Sequence, residues 1–228
     1  MAKPESLKMV ETAIDLLAHL ADEEIGIGPR EISRKFGISP TAAQRLVTAL
    51  ENKDCLYFEP ATQKYKLGYG LFRLLHGVAG KFDLITVAQP YMKTLRDYTG
   101  ETICLNVMVE KRRMTTYQVE SKHELRWIAE VGKLYPLYIG ASGKVILANL
   151  DEKTIHEIFL EQLEELDAEK KKALLQQLQE IKTNQFFVSY GERIAGGVGI
   201  AVPIQYQNGV ASLSIYAPET RIDRQKIE

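Results

Sequence analysis

Apolar residues recur at helical spacing through Leu7, Val10, Ile14, Leu17 and Leu20, and again through Ala43, Leu46, Val47 and Leu50. Each stripe predicts a helix with one buried face. Between them PREISRKF, residues 29–36, places Ile32 and Phe36 four apart, and Gly37 supplies a residue that ends a helix and turns the chain into the next. The third helix has a marked start: Ser39 can cap it by accepting from a backbone N–H, and Pro40 suits the first helical position. Its apolar stripe leaves Thr41, Ala42, Gln44, Arg45 and Thr48 on other faces. Two β-prone runs, residues 55–58 and 65–67, then flank a polar turn that holds Pro60. Three short helices closed by a basic hairpin are the layout of a winged helix-turn-helix DNA reader.

The pattern changes after Gly68. Leu71, Leu74, Leu75 and Val78 form a stripe that Gly80 breaks, and Leu84, Val87, Ala88, Tyr91, Met92 and Leu95 form another that ends at Gly100. The first is expected to be a linker helix whose apolar face packs against a second copy of the chain. Strand periods follow at residues 102–110 and 114–121, joined through Lys111, Arg112 and Arg113 as a polar connection, with shorter extended runs at 125–128 and 131–135. Residues 140–150 predict a turn into a helix, 151–160 and 167–183 predict helices with solvated charged faces, and 198–205 and 209–216 predict two final strands. Strands bracketing a helical insertion argue an α+β fold with a mainly antiparallel sheet. The expected divisions are 1–68 for the winged domain, 69–80 for the linker and 81–228 for a second domain that binds a ligand and oligomerises.

Composition narrows the function class. Over 228 residues, 45% hydrophobic and 26% charged content is that of a soluble globular chain, with neither a signal peptide nor an apolar run long enough to span a membrane. A cytoplasmic location is expected. Cys55 and Cys104 stand alone, which suits reduced core residues and neither a disulfide framework nor a metal spacing. Between Arg30 and Lys66, Arg30, Arg34, Lys35, Arg45, Lys53, Lys64 and Lys66 outnumber Glu31, Glu51, Asp54 and Glu59, against a whole-chain net charge of −1. So modest a local excess predicts weak binding by one copy and a dimer that spans two half-sites. Phosphate, base and backbone contacts are assigned to Arg30, Ser39, Thr41, Ala42, Gln44, Arg45, Thr48 and Lys64.

Enzyme motifs are absent in their required form. In GASGK, residues 140–144, the two glycines are too close for a phosphate loop and Val145 replaces its Ser/Thr, while Gly143 directly after Ser142 breaks the hydrolase elbow. No catalytic residue, metal or cofactor is assigned.

The whole chain resembles the IclR family of bacterial transcriptional regulators. The resemblance rests on Gly37, Ile38, Arg45, Leu46 and Val47 in the helix-turn-helix, on Tyr65, Leu67 and Gly68 closing the wing, and on ordered motifs beyond. These are TGET at 99–102, VGKLYPL at 131–137, ASGKVILA at 141–148, SYGE at 189–192 and GIAVPI at 199–204. The chain departs from the family pattern at Ser39, Pro40 and Ala42, which removes a lysine that commonly contacts phosphate. The resemblance implies a GAF/profilin-like second domain holding a small organic or aromatic acid, with Tyr190 and Glu192 on a loop that closes over it. It also implies double-stranded operator DNA and a second copy, as dimer or tetramer, as partners. The residues add their own support. Ser214 and Tyr216 share one strand face, Ala141 and Ser142 open a helix whose N–H groups can hold a carboxylate, and Trp127, Tyr135 and Ile200 supply apolar walls. A sensor that acts through protein contacts without specific DNA binding is the alternative.

Overall fold

Gly37 adopts φ 61° and ψ 36°, the left-handed conformation in which glycine pays no Cβ penalty, and so ends α2 (Pro29–Phe36) and redirects the chain into α3 (Pro40–Glu51). Ser39 caps α3 by accepting from the Ala42 N–H at 3.2 Å. The computed structural model describes residues 5–23, 25–79, 83–163, 167–207 and 209–222. These fall into two compact units, Met1–Phe82 and Asp83–Glu228.

In the first unit α1 (Glu5–Ala21) joins α2 and α3 around Leu16, Leu20, Ile32, Ala43, Leu46 and Val47. The wing pairs β1 (Leu56–Glu59) with β2 (Lys64–Leu67), and Ile27 adds a rung by exchanging two backbone bonds with Tyr65. One expectation fails here. Leu7, Val10 and Ile14 are exposed, while Leu16 with half-buried Met9 and Ala13 turns inward. The helix is apolar on two sides, and its partners, not its period, choose the buried one. After the wing, α4 (Gly70–Ala79) leaves Phe72 and Leu74 exposed.

The second unit is a six-stranded antiparallel sheet in the order β5-β4-β3-β8-β7-β6. Its strands are β3 (Thr102–Val109), β4 (Arg112–Val119), β5 (Leu134–Pro136), β6 (Phe187–Tyr190), β7 (Gly197–Tyr206) and β8 (Gly209–Pro218). Residues 125–128, expected as extended, form no strand, and β6 was not anticipated. The first hairpin also differs: Val109 pairs with Arg112, so the turn is Glu110-Lys111 and Arg113 lies inside the sheet. Both turn residues have positive φ, 50° and 57°, as a tight hairpin requires. Neither advertises it. Lys111 is held by ion pairs to Glu157 and Glu161 at 3.1 and 2.5 Å.

Helices cover both faces of this sheet. On one, α5 (Asp83–Thr99) packs Met92, Ala88 and Leu95 on Ile103, Leu105, Val119, Leu213 and Ile215. On the other lies α6 (Ala141–Ala148), buried along its whole length beneath α7 (Glu152–Gln162) and α8 (Ala168–Asn184). Gly143 permits this depth, since a Cβ there would sit 2.5 Å from the Leu137 carbonyl oxygen. Among the described residues no helix is long and apolar enough to cross a membrane.

Candidate functional site

The residues assigned from the sequence fall on two surfaces, one in each unit. On α3, Ala43, Leu46 and Val47 are buried, and Thr41, Gln44, Arg45 and Thr48 are exposed. Positions 41, 44, 45 and 48 are i, i+3, i+4 and i+7, so they form a single outward stripe. Ala42 is half-buried beside it, and the Ser39 hydroxyl oxygen caps the helix. Arg30, in the first turn of α2, is exposed. Among the described residues neither Arg30 nor Arg45 is in an ion pair, which leaves both guanidinium groups available to phosphate or base edges. Lys66 of the wing is already paired with Glu59 at 2.9 Å, whereas half-buried Lys64 has no ion pair among the described residues.

In the second unit a cavity of about 30 Å³ lies between the start of α6, the 191–196 loop and one face of the sheet. Trp127, Ser142, Glu192 and Tyr216 line it together with Arg113, Ser189 and Arg193. Trp127 stacks on Tyr216 at 5.2 Å between centroids, and Tyr216 Oη shares a 2.5 Å hydrogen bond with Ser142 Oγ. The Arg193 guanidinium lies over the rings of Trp127 and Tyr135, at 5.0 and 3.9 Å, and approaches Glu130 at 3.5 Å. Arg193 therefore fills the space a flat ligand would use. As it stands the cavity admits a water molecule or two, and a larger ligand requires the 191–196 loop to move.

The α6 N-terminus is not free. Glu192 accepts from the Gly140 N–H at 2.9 Å and from Lys144 Nζ at 2.6 Å, and Ser189 Oγ accepts from the Ala141 N–H at 3.0 Å. Of the N–H groups that the sequence offered to a ligand carboxylate, the one at Ala141 is satisfied by the protein's own oxygen. Lys144 is buried, so Glu192 also neutralises a cation that has left water.

Other assigned residues sit around the cavity rather than on it. Ser214 is buried behind its floor, donating to the Cys104 carbonyl at 3.3 Å and accepting from Asn106 Nδ2 at 2.8 Å. Tyr190 is exposed at the end of β6. Burial, and then its bond to Glu130, raise the Tyr135 phenol above its ordinary value, so it keeps its proton. Ile200 is placed elsewhere: it pairs with Ile215 in register and faces α5, on the opposite side of the sheet from Tyr216 and Gly199. An alternation of two makes adjacent Gly199 and Ile200 point apart, and register alone says which points inward.

Sequence reasoning missed a buried polar network under α6. Arg113, 2% exposed, donates through Nη1 to Asn106 Oδ1 at 3.0 Å and Thr115 Oγ1 at 3.2 Å. Thr115 itself donates to Asn106 Oδ1 at 2.8 Å, and Ser212 donates to the Ser142 carbonyl at 3.1 Å. Its trace in the sequence is the hydroxyl-bearing residues at every second position, Ser212, Ser214 and Tyr216. Among the described residues no group of three His, Cys, Asp or Glu side chains could hold a metal.

Comparisons with known proteins match both parts of the chain. A model of the IclR helix-turn-helix domain matches residues 10–60, and a model described as bacterial transcriptional regulator IclR C-terminal matches residues 76–228. The HTH-type transcriptional regulator KdgR of Escherichia coli is 30% identical over 234 residues, covering 99% of this chain and 88% of its own. A crystal structure of an IclR transcriptional regulator from Alicyclobacillus acidocaldarius superposes with a TM-score of 0.82 at 24% identity, covering 96% of this chain and 91% of the other. An IclR homologue from Microbacterium hydrocarbonoxydans, solved in complex with 4-hydroxybenzoate, gives 0.78 at 20% identity, covering 96% and 92%.

Proposed function

The chain belongs to the IclR family of bacterial transcriptional regulators, and from that premise we propose that it represses a catabolic operon under the control of a small organic or aromatic acid bound in the second unit. The observation that carries the DNA half is the outward stripe Thr41, Gln44, Arg45 and Thr48 on a helix whose other side is core. A stripe of that kind fits the major groove, and Arg30 and Lys64 on flanking elements suit the phosphates. Two copies then read two half-sites roughly 34 Å apart. The apolar side chains exposed on α1 and α4, Val10, Ile14, Phe72 and Leu74, support self-association. Operator DNA as a partner supports a cytoplasmic location.

The acid enters at the cavity beside Trp127, Ser142 and Tyr216, displacing Arg193 from the two aromatic rings. Movement of the 191–196 loop then alters the spacing of the paired winged units, and the half-sites no longer fit both. For this to act as a switch the acid must bind the two states with affinities that differ by about 1 to 3 kcal/mol. The homologue bound to 4-hydroxybenzoate supports the chemical class. Operator fragments selected from genomic DNA, titrated with and without carboxylic acids that the neighbouring genes suggest, test the proposal. The expected result is salt-dependent binding that the acid weakens, and operator affinity indifferent to every such acid overturns it.

A further inference from the structure

We propose that Arg113 receives the carboxylate of the effector, and that the site selects small monocarboxylates over their neutral counterparts. This deepens the reading of the cavity as an effector site and rests on it. Arg113 lines the cavity at 2% exposure, and its Nε has no hydrogen-bond partner in the protein. Its Nη1 is occupied by the neutral oxygens of Asn106 and Thr115. Arginine does not shed its proton in a protein, so a buried guanidinium must be matched by an anion or carry the cost of desolvation. Among the described residues no carboxylate lies within ion-pair distance of it.

The other cations near the cavity each have a carboxylate in reach. Glu192 neutralises Lys144 at 2.6 Å, and Glu130 is shared between Lys133 at 2.8 Å and Arg193 at 3.5 Å. Of the two arginines that line the cavity, Arg113 is the one with no carboxylate within ion-pair distance among the described residues. The free Nε edge of a guanidinium presents parallel donors to the two oxygens of a carboxylate, a bidentate geometry that a neutral amide, with one acceptor oxygen, cannot match. At the helix start the Gly140 N–H already bonds to Glu192, whose carboxylate would repel a second anion, and the Ala141 N–H bonds to Ser189.

The test is thermal unfolding and calorimetry on the full chain without DNA, with acetate and benzoate as probes, acetamide and benzamide as their neutral shapes, and chloride holding the ionic strength constant. Both acids are expected to raise the Tm of the wild-type protein and neither amide to do so. Arg113→Met removes the unmatched charge while keeping most of the volume, and Asn106 Oδ1 still accepts from Thr115. It is therefore expected to have an equal or higher Tm without ligand and to lose the response to acid. Arg113→Lys keeps the charge without the paired donors, and should weaken benzoate by about tenfold or more. It decides the matter should the Met variant not fold. Amides that stabilise as well as acids, no stabilisation of wild type by either acid, or an undiminished acid response in both variants would each overturn the proposal. Acid binding that depends on Arg113 but leaves operator affinity unchanged would uphold it and sink the regulatory reading instead.

Discussion

The two faces of the six-stranded sheet are both covered by helices and filled with opposite chemistry. Under α5 the sheet offers Ile103, Leu105, Val119, Leu213 and Ile215, and under α6 it offers Asn106, Arg113, Thr115, Ser212 and Ser214. Apolar burial stabilises by about 25 cal/mol per Å², whereas each buried polar group must find a partner merely to recover what it lost in leaving water. The α5 face is what such a sheet does for stability. The α6 face is a cost borne for something else, and Arg113 Nε and Trp127 Nε1, both buried and unpartnered, mark where the cost is unrecovered.

The comparison breaks most sharply at Leu105, fully buried under α5. Leu105→Ala is expected to lower unfolding free energy by about 2 to 5 kcal/mol in urea titration, with acid affinity of the folded fraction unchanged. On the polar face the balance should reverse. Asn106→Ala leaves Arg113 Nη1 without its shorter bond, which costs about 1 to 3 kcal/mol of stability, and should change the acid response as well. Equal acid responses in these two variants would show that the faces do not differ in function.

The winged unit supplies the control for exposure. Arg45→Ala should leave stability within about 0.5 kcal/mol, because the side chain is exposed, yet lower operator affinity and reduce the salt slope by about 1. The mildest contrast is between the two thiols. Cys104, fully buried on the polar face, has its thiol pushed up to about 12 by burial despite the opposing pull of Arg113 and Arg193. At pH 8 a disulfide reagent should therefore label half-buried Cys55 and spare Cys104 until the protein unfolds. Above pH 9.0 the unfolded Cys104 thiol releases its proton while the folded one holds it, so this group's contribution to stability should fall as pH rises toward about 12.

Legibility followed the range of the interactions. The turn at Gly37, the cap at Ser39 and the stripe of α3 depend on residues within four positions of each other, and all three stand in the chain as printed. Arg113 was hidden because a Glu-Lys pair does not announce a two-residue turn, and reading three basic residues as the connection moved Arg113 out of the strand. Ile200 was assigned to a ligand wall because alternation gives two faces without saying which is which. In α1 the same ambiguity put Val10 and Ile14 in the core and left out Leu16.

The sequence by itself determined the kinds of element, the two-part order of the chain and the residues that α3 turns outward, since capping, helical period and turn chemistry are local. Only the tertiary structure decided which sheet face became the polar one, that Glu192 and Ser189 occupy the start of α6, and that Arg113 lies under that helix without a carboxylate. Those outcomes depend on strand register and on groups 48 and 52 positions apart meeting, which no local pattern encodes.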